Sequence, residues 1–409
     1  MSPGNLASNP RLLKEADALH SAGYDVTTVV CDFTDSVQAF DDELVASAPW
    51  RVIRVARQRG LNLRSAASAL IARSMGASVP LGLACRAAGG APIGALMRAV
   101  RAIEADLYIA HYVAALPAAA DTARRRGALL GFDAEDFHSG EGTGGAGDDF
   151  RMRMVAAVER ATLPGCRYST AASPLIGRAY SDRYGIAPAT ILNVFPLAMA
   201  PLQPMPRETS RAGLKAYWFS QTIGLDRGLQ AFVRAMALAR GHVTLDIRGS
   251  NRWGHGDALM RLAGELGIAD RLRLLPLASP GEMVRLAADY DLGLSLETDV
   301  SESRQYCLTN KIFTYLLAGI PTMLSDTPAQ RALAVDLGPA ATVVSLAEPA
   351  AMAIALDRLS GTEGALEEAR ATSWRLGRER YNWEVEQRLL LAAVGKAFEA
   401  ARTDGSWRH

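Results

Sequence analysis

The sequence predicts an α/β protein built from two doubly wound, mostly parallel sheet domains. Three observations carry this expectation. Short apolar or β-branched runs alternate with helical patterns along the whole chain. The segment Pro196–Pro206, with four prolines in eleven residues, breaks that alternation near the middle. A length of 409 residues exceeds what one simple core organises.

The elements follow in order. Asn9–Ala22 reads as a helix, with Ser8 or Asn9 as its cap, Pro10 in its first turn and Gly23 at its end. Val26–Cys31 is a short strand. Leu107–His111 is another, followed by a helix of small residues over Leu116–Arg126 and a strand over Ala128–Asp133. A helix over Met152–Leu163, a strand over Tyr168–Ala171, a helix over Ser173–Tyr184 and a strand over Thr190–Val194 complete the first half. Beyond the proline-rich hinge, strands are expected at Leu214–Phe219, Val243–Arg248, Leu272–Leu275, Leu292–Leu296, Thr322–Leu324 and Thr342–Val344, with helices between. The ligands of such sheets bind outside the carboxyl ends of the strands, which makes the cleft between the domains the expected site.

Composition narrows the class. Lys+Arg 44 against Asp+Glu 43 leaves a net charge of +1, which argues against a dedicated nucleic-acid binder. The four cysteines, Cys31, Cys85, Cys166 and Cys307, follow no metal spacing and read as free thiols of a reducing compartment. The chain offers neither a clean apolar run of about 20 residues nor a signal-peptide pattern, so a cytoplasmic enzyme is the simplest expectation.

The balanced total hides an asymmetry. Leu44–Ile103 holds no Asp or Glu but nine arginines, Arg51, Arg54, Arg57, Arg59, Arg64, Arg73, Arg86, Arg98 and Arg101. Interleaved apolar residues make these stretches read as basic amphipathic helices, interrupted at Gly89–Pro92. Such a face suits an anionic membrane surface or an anionic acceptor. The alternative is a solvated face whose acidic partners lie elsewhere in the fold.

The most informative segment is Asn310–Pro321. It follows the apolar run Leu292–Leu296 and a polar loop, and it reads as a helix ended by Gly319-Ile-Pro321. A helix start presents free N–H groups and the positive end of the helix dipole, and Lys311 adds a full charge. A phosphate site is one reading; an ordinary βαβ unit with a solvated lysine is the other. His111 and His138 stand at two neighbouring expected strand ends and are candidates for sugar or acceptor contact, or structural histidines. The glycine-rich run Gly140–Gly147 lacks the Lys-Ser/Thr of a P-loop and reads as a linker or as a mobile acceptor-side loop.

Taken in order, several segments resemble a retaining family 4 glycosyltransferase of the GT-B fold, over nearly the full chain. Asn9–Val26 is similar to that family's first helix and second strand. Asp106–His111 resembles its D-x-V-H-x-H strand end, and Phe132–His138 its D-x-H-E segment. Leu192–Pro196 resembles N-G-V-D. Tyr217–Gln221 with Arg227-Gly228 resembles G-R-L-x-x-x-K-G. Asn310–Pro321 resembles K-x-x-E-Y-x-A-x-G-x-P, and Tyr381–Glu384 resembles F-S-W-E.

The resemblance implies an architecture of two Rossmann-like domains facing a cleft. Residues 1–198 would bind the acceptor and 212–385 the nucleotide-sugar donor, and a helix and tail over 386–409 would cross back. It implies transfer of a sugar from a UDP- or GDP-sugar, with retention, to a glycan, lipid-linked or polysaccharide-precursor acceptor. No cofactor and no metal are expected, since nothing here resembles a metal site. Nucleic acid is not an expected partner. The location would be cytoplasmic, with a possible peripheral membrane contact through Arg51–Arg101.

Arg227 and Lys311 would stabilise the leaving diphosphate, and His111 and His138 would orient sugar or acceptor. Ser220, Gln221, Gly249, Leu277, Glu297, Asn310 and Thr314 would line the donor site with them. Asp133, Glu135 and Asp136 would lie on the acceptor side.

The departures are specific. Gln221 stands where the family has Arg, and Arg227 where it has Lys. The family's two spaced glutamates fall near Tyr306 and on Thr314; Glu297 replaces one of them only if its loop folds back. Met1–Gly4 stands where the first strand should already be ending, which predicts a truncated or altered sheet there. A GT-B sugar-nucleotide epimerase and a non-catalytic sugar-nucleotide binder are the alternatives.

Overall fold

The computed structural model describes residues 1–32, 38–56, 63–75, 83–84, 93–205 and 213–405. The chain divides into two units. One comprises Met1–Ile191 with Ser301–Ser303 and Gln387–His409; the other comprises Leu192–Val300 and Arg304–Glu386. The proline-rich segment thus belongs to the second unit.

Helix starts follow the local chemistry of the sequence. Helix Pro10–Ser21 begins where the Asn9 side chain accepts the Leu12 N–H at 3.0 Å, with proline at its first position. Helix Pro174–Tyr184 repeats the device, Ser173 Oγ accepting from the Ile176 N–H at 3.1 Å.

The second unit carries six parallel strands: β7 (Leu214–Thr222), β8 (Val243–Ser250), β9 (Leu272–Leu275), β10 (Leu292–Ser295), β11 (Thr322–Ser325) and β12 (Ala341–Val344). Their order is β12-β11-β10-β7-β8-β9. Counted from β7, this is the doubly wound order 3-2-1-4-5-6, in which winding reverses between the first and fourth strands. The reversal lies between β7 and β10, and the crevice it opens is at their carboxyl ends.

Packing fixes the helix beside that crevice. Helix Asn310–Ala318 buries nearly every residue. Its Tyr315 ring lies flat against Gly293 of β10, where a Cβ would fall 2.1 Å from the ring. The Tyr315 hydroxyl lies 3.2 Å from the carbonyl oxygens of both Tyr217 and Leu294, so one side chain ties the helix to β7 and β10 together.

In the first unit, β1 (Thr27–Cys31) pairs with β2 (Arg51–Val55), and β3 (Leu107–His111), β4 (Leu129–Ala134), β5 (Cys166–Ala171) and β6 (Ala189–Thr190) form a second parallel group. Residues 1–4 run between β1 and β3. Met1 N–H donates to Ile109 O at 2.8 Å and His111 N–H to Met1 O at 2.9 Å. On the other side Ser2 N–H donates to Val29 O at 2.9 Å and Cys31 N–H to Gly4 O at 3.2 Å. The expected altered sheet is therefore a four-residue stitch where a full strand would lie.

Three expectations change. Arg51–Val55 is a strand, not part of a basic helix: its run of β-branched residues pairs in parallel with β1. Arg54 and Arg101 have acidic partners elsewhere in the fold, Arg54 with Asp32 at 2.7 Å and Asp42 at 2.5 Å, Arg101 with Asp121 at 2.5 Å. Helices do occupy Leu63–Ser74 and Ile93–Arg101, while Arg57, Arg59 and Arg86 lie outside the described residues. The expected strand Thr190–Val194 shrinks to two residues. Glu386 takes the Leu192 N–H at 2.8 Å, and Phe195 O takes the Trp383 N–H at 2.9 Å, so this backbone is bound to the start of the last helix rather than to a ladder.

Among the described residues, Cys31, Cys166 and Cys307 are free thiols, and no helix is long and apolar enough to cross a membrane.

Candidate active site

The carboxyl ends of β7 and β10 supply one cluster. β7 leads through a short turn to Arg227. Gly228 follows with φ 66°, and a Cβ there would fall 2.8 Å from Leu296 Cβ, so glycine alone lets this turn approach β10. Glu297 comes two residues after β10 ends, and only 1% of its surface is exposed. The chain then returns through a short helix, Glu302–Tyr306, before Lys311 enters helix Asn310–Ala318.

Three cations converge on Glu297. Arg227 Nη1 lies 3.1 Å and Arg304 Nη1 3.0 Å from Oε2, and Lys311 Nζ lies 3.5 Å from Oε1. Arg227 Nε also lies 3.7 Å from Asp226, so three cations meet two carboxylates, with Glu297 and Lys311 buried and the two arginines partly exposed. Burial pushes the Glu297 carboxyl up, but Lys311, Arg227 and Arg304 hold it below the usual carboxylate value. Burial pushes the Lys311 ammonium below its ordinary value; Glu297 pulls it back and Arg227 lowers it further. A second anion entering the cluster would reverse that lowering. Glu297 Oε1 has no hydrogen-bond partner among the described residues.

The other expected donor residues separate. Thr314 is fully buried, and its hydroxyl donates to Asn310 O at 3.0 Å within its own helix. It lines no open crevice, so its expected place in the donor site is corrected. Asn310 opens that helix, and Thr309, its cap, hydrogen-bonds Ser295 side chain to side chain at 3.0 Å. Ser220, Gln221 and Gly249 stand at the carboxyl ends of β7 and β8, where a Cβ on Gly249 would fall 2.8 Å from Ser220 O. Leu277 is exposed in the loop after β9. Arg304 is the residue that sequence reasoning missed. Its only signal is spacing, since it falls seven residues after Glu297 and seven before Lys311.

The first unit holds a buried polar network. Arg11 grips Asp133 bidentately at 2.5 and 2.8 Å and donates to Ile191 O at 2.7 Å. Thr170 donates to Asp133 at 2.7 Å. His111 sits between two carboxylates, Nε2 2.7 Å from Glu15 and Nδ1 3.2 Å from Asp133. Tyr168 donates to the other oxygen of Glu15 at 2.5 Å. Burial pushes Asp133 up, yet Arg11 and His111 drive it well below the carboxylate range. Burial lowers His111, and the two carboxylates more than restore it. His111 and Asp133 are each 3% exposed, so both sit inside the fold rather than on an open face as expected of His111.

A second group lies one turn beyond β3 and β4. Tyr112 is the only non-glycine residue with positive φ, 66°, among the described residues, and such strain marks positions that their surroundings hold firmly. Its hydroxyl donates to Glu135 at 2.9 Å. Burial, then Asp136, raises the Glu135 carboxyl. His138 Nδ1 lies 2.7 Å from Glu141. Burial alone would lower His138, but Glu141 raises it to about 9.

No protein-family model matches the sequence, and no curated protein matches it. Solved structures share its fold. HepE from Anabaena, in complex with UDP and glucose, is 14% identical at a TM-score of 0.69, over 94% of each chain. Sucrose-phosphate synthase from Thermosynechococcus elongatus is 14% identical at a TM-score of 0.70, over 96% of this chain and 94% of that one. The lipopolysaccharide outer core galactosyltransferase WaaB is 13% identical at 0.59, over 96% of this chain and 98% of that one. These neighbours are glycosyltransferases of the GT-B fold, and the GT-B fold is what this chain shares with them.

Two measurements test the electrostatics. Glu297→Gln removes the carboxylate that Arg227, Arg304 and Lys311 share and should cost about 3 kcal/mol of stability, part of it recovered on adding pyrophosphate. Chemical denaturation checks this; unchanged stability would show that Glu297 is not holding the cluster. His138 has a folded-state value of about 9 against an ordinary 6.5, so its contribution is complete below pH 6.5 and is lost as pH rises toward 9. The stability difference between the wild type and His138→Gln should shrink across that window; a constant difference contradicts the His138–Glu141 pairing.

Proposed function

We propose that the protein is a glycosyltransferase that moves a sugar from a nucleotide-sugar donor to an acceptor with retention of configuration. The observation that carries this is the Arg227–Arg304–Lys311 cluster around Glu297, at the carboxyl edge where the winding of the second sheet reverses. Cleavage of the donor's glycosidic bond adds negative charge to the leaving diphosphate. Prepositioned cations in a desolvated crevice stabilise that charge without reorganising during reaction. Arg227 and Arg304 offer planar forks to the phosphate oxygens, Lys311 a point charge, and the N–H groups of the helix starting at Asn310 add their dipole.

Several further points support the reading. Structures of the same fold are described with UDP or UDP-glucose, which favours a uracil or similar nucleotide as donor base. Three side-chain cations at one carboxylate supply positive charge that a metal would otherwise bring, so transfer is metal-independent and should persist in chelator. The acceptor is a glycan or lipid-linked precursor, bound by the first unit, with Glu135 and Asp136 lining its approach and His138 orienting it.

The protein works in the cytoplasm, as a peripheral protein on the inner face of the membrane. Helix Leu63–Ser74 supports this, since Leu70 and Ile71 are 70% and 53% exposed within the arginine-rich stretch.

Arg227→Ala or Lys311→Ala should slow transfer by on the order of a hundredfold or more, with folding little affected. Turnover of UDP-sugars with a lipid-linked acceptor, read by proton NMR, checks rate and anomeric configuration together. Unchanged rates in both variants, or an inverted product, would overturn the assignment. Conversion of UDP-N-acetylglucosamine to a new sugar without acceptor would make the protein an epimerase instead.

For the membrane contact, sedimentation with vesicles containing about 30% anionic lipid should show binding that high salt releases. Equal binding to neutral vesicles would remove the electrostatic argument.

A further inference from the structure

The first unit holds a buried carboxylate with no cation in salt-bridge reach among the described residues. Glu159, on helix Ala146–Thr162, is 0% exposed. Its partners are two phenols, Tyr180 donating to Oε1 at 2.8 Å and Tyr184 to Oε2 at 2.6 Å. These tyrosines stand four residues apart on helix Pro174–Tyr184 and so share one of its faces. A carboxylate taken out of water is costly unless it is hydrogen-bonded, and both of its oxygens are used here.

Each phenol passes the contact on to one turn. A hydroxyl has a single proton, and the shorter bond to an ionised acceptor takes it. Tyr180 therefore donates to Glu159 rather than to Asp136 O, 3.2 Å away, and accepts the His138 N–H at 3.2 Å. Tyr184 likewise donates to Glu159 and accepts from Ser139 Oγ at 3.1 Å, which itself accepts from Arg183 Nη1 at 3.2 Å. Glu159 thus holds two successive residues of the turn His138–Gly140. Phe137, just ahead of that turn, packs edge-on against the Tyr180 ring, with centroids 5.2 Å apart.

The turn carries a ring with one nitrogen uncommitted. Glu141 and Asp136 face His138 from its own segment and Glu159 from helix Ala146–Thr162, while Arg151 and Arg183 reach Glu141 and Ser139. The rings of Tyr112 and Phe132 lie 5.8 and 6.4 Å from it. Burial alone would lower His138, and Glu141, then Asp136 and Glu159, raise it. Nδ1 meets Glu141 at 2.7 Å, but Nε2 is buried with no partner among the described residues. An unpaired buried donor costs free energy, and nothing in the support of the turn uses this one.

We infer that Glu159 is a positioning residue for the acceptor: through the hydroxyls of Tyr180 and Tyr184 it fixes the turn His138–Gly140 and leaves Nε2 of His138 for a substrate oxygen. The inference rests on the reading of His138 as the group that orients the acceptor. Glu159 itself acts only through the phenols and its charge.

The test follows four proteins by NMR and by turnover: the wild type, Glu159→Gln, Tyr180→Phe, and Tyr108→Phe, which removes a hydroxyl bonded to Ile103 O elsewhere in the first unit. Turnover is read with UDP-glucose and a panel of glycan and polyprenyl-diphosphate-linked acceptors. In Tyr180→Phe the His138 amide should exchange about tenfold faster or more, and kcat should fall about tenfold or more while KM for UDP-glucose holds. In Glu159→Gln the His138 ring should titrate below the wild type's midpoint of about 9, because one of the charges that raise it is gone. Tyr108→Phe should move none of these. Tyr180→Phe keeps the ring and its packing, so its readings stand even where Glu159→Gln does not fold. The inference is overturned if the His138 amide and ring behave as in the wild type in both variants. It is overturned equally if kcat falls no further in Tyr180→Phe than in Tyr108→Phe. A wild type that titrates as described but transfers no sugar overturns the transferase reading and the inference with it; a wild type and a Tyr180→Phe that transfer equally well overturn the inference alone.

Discussion

One buried carboxylate organises the second unit. Glu297 is nearly inaccessible, yet it carries its charge because Arg227, Arg304 and Lys311 surround it. Removing Glu297 and Lys311 from water is costly, and the attraction between them and the two arginines offsets that cost only while the geometry holds. The geometry comes from the sheet. β7 and β10 are neighbours where winding reverses, Gly228 lets the Arg227 turn approach β10, and Tyr315 packed on Gly293 fixes the helix that carries Lys311. Each cation thus comes from a different piece of chain, and the carboxylate is their common partner.

Three cations against two carboxylates, Glu297 and Asp226, leave an excess of positive charge in the cluster. An ordinary buried pair is neutral and has no need of a ligand. That excess leaves room for a further anion, and pairs of oxygens on a diphosphate can accept both N–H groups of an arginine fork. The pull of burial on Lys311, below its ordinary value, is the cost of an incompletely compensated site. In the first unit the balance differs. Asp133 is held by Arg11 and Thr170, with His111 Nδ1 3.2 Å away, and Glu15 by His111 and Tyr168, so that network reads as the support of β3, β4 and helix Pro10–Ser21.

Much of this was legible in the sequence, for identifiable reasons. Strand runs such as Leu292–Ser295 and helix signals such as Gly319-Ile-Pro321 depend on neighbouring residues, so local pattern revealed them. Lys311 draws notice because it stands in the first turn of a helix, and Arg227 because its segment resembles a family motif; the fold brings both side chains to Glu297. Arg304 was not legible, because its partner is set by how the loop after β10 returns, and loop paths leave little trace in sequence. Thr314 stands where the resembled motif has a carboxylate; in the fold its hydroxyl donates back to Asn310 O. β2 was hidden by its arginines, which obscure β-branched Val52, Ile53 and Val55, and its pairing with β1 is a long-range fact. The stitch at residues 1–4 was foreseen as an altered sheet, but its two-sided bonding required three separated segments to be brought together.

We propose the Glu297 cluster as the diphosphate site of a nucleotide donor. Calorimetric titration of UDP and of uridine into the wild type and Arg304→Ala tests it most directly, because Arg304 enters the account from geometry alone. UDP affinity should fall at least tenfold in the variant, about 1.4 kcal/mol, while the weak binding of uridine is unchanged. Equal UDP affinity in the two proteins, or an equal loss for uridine, would contradict it.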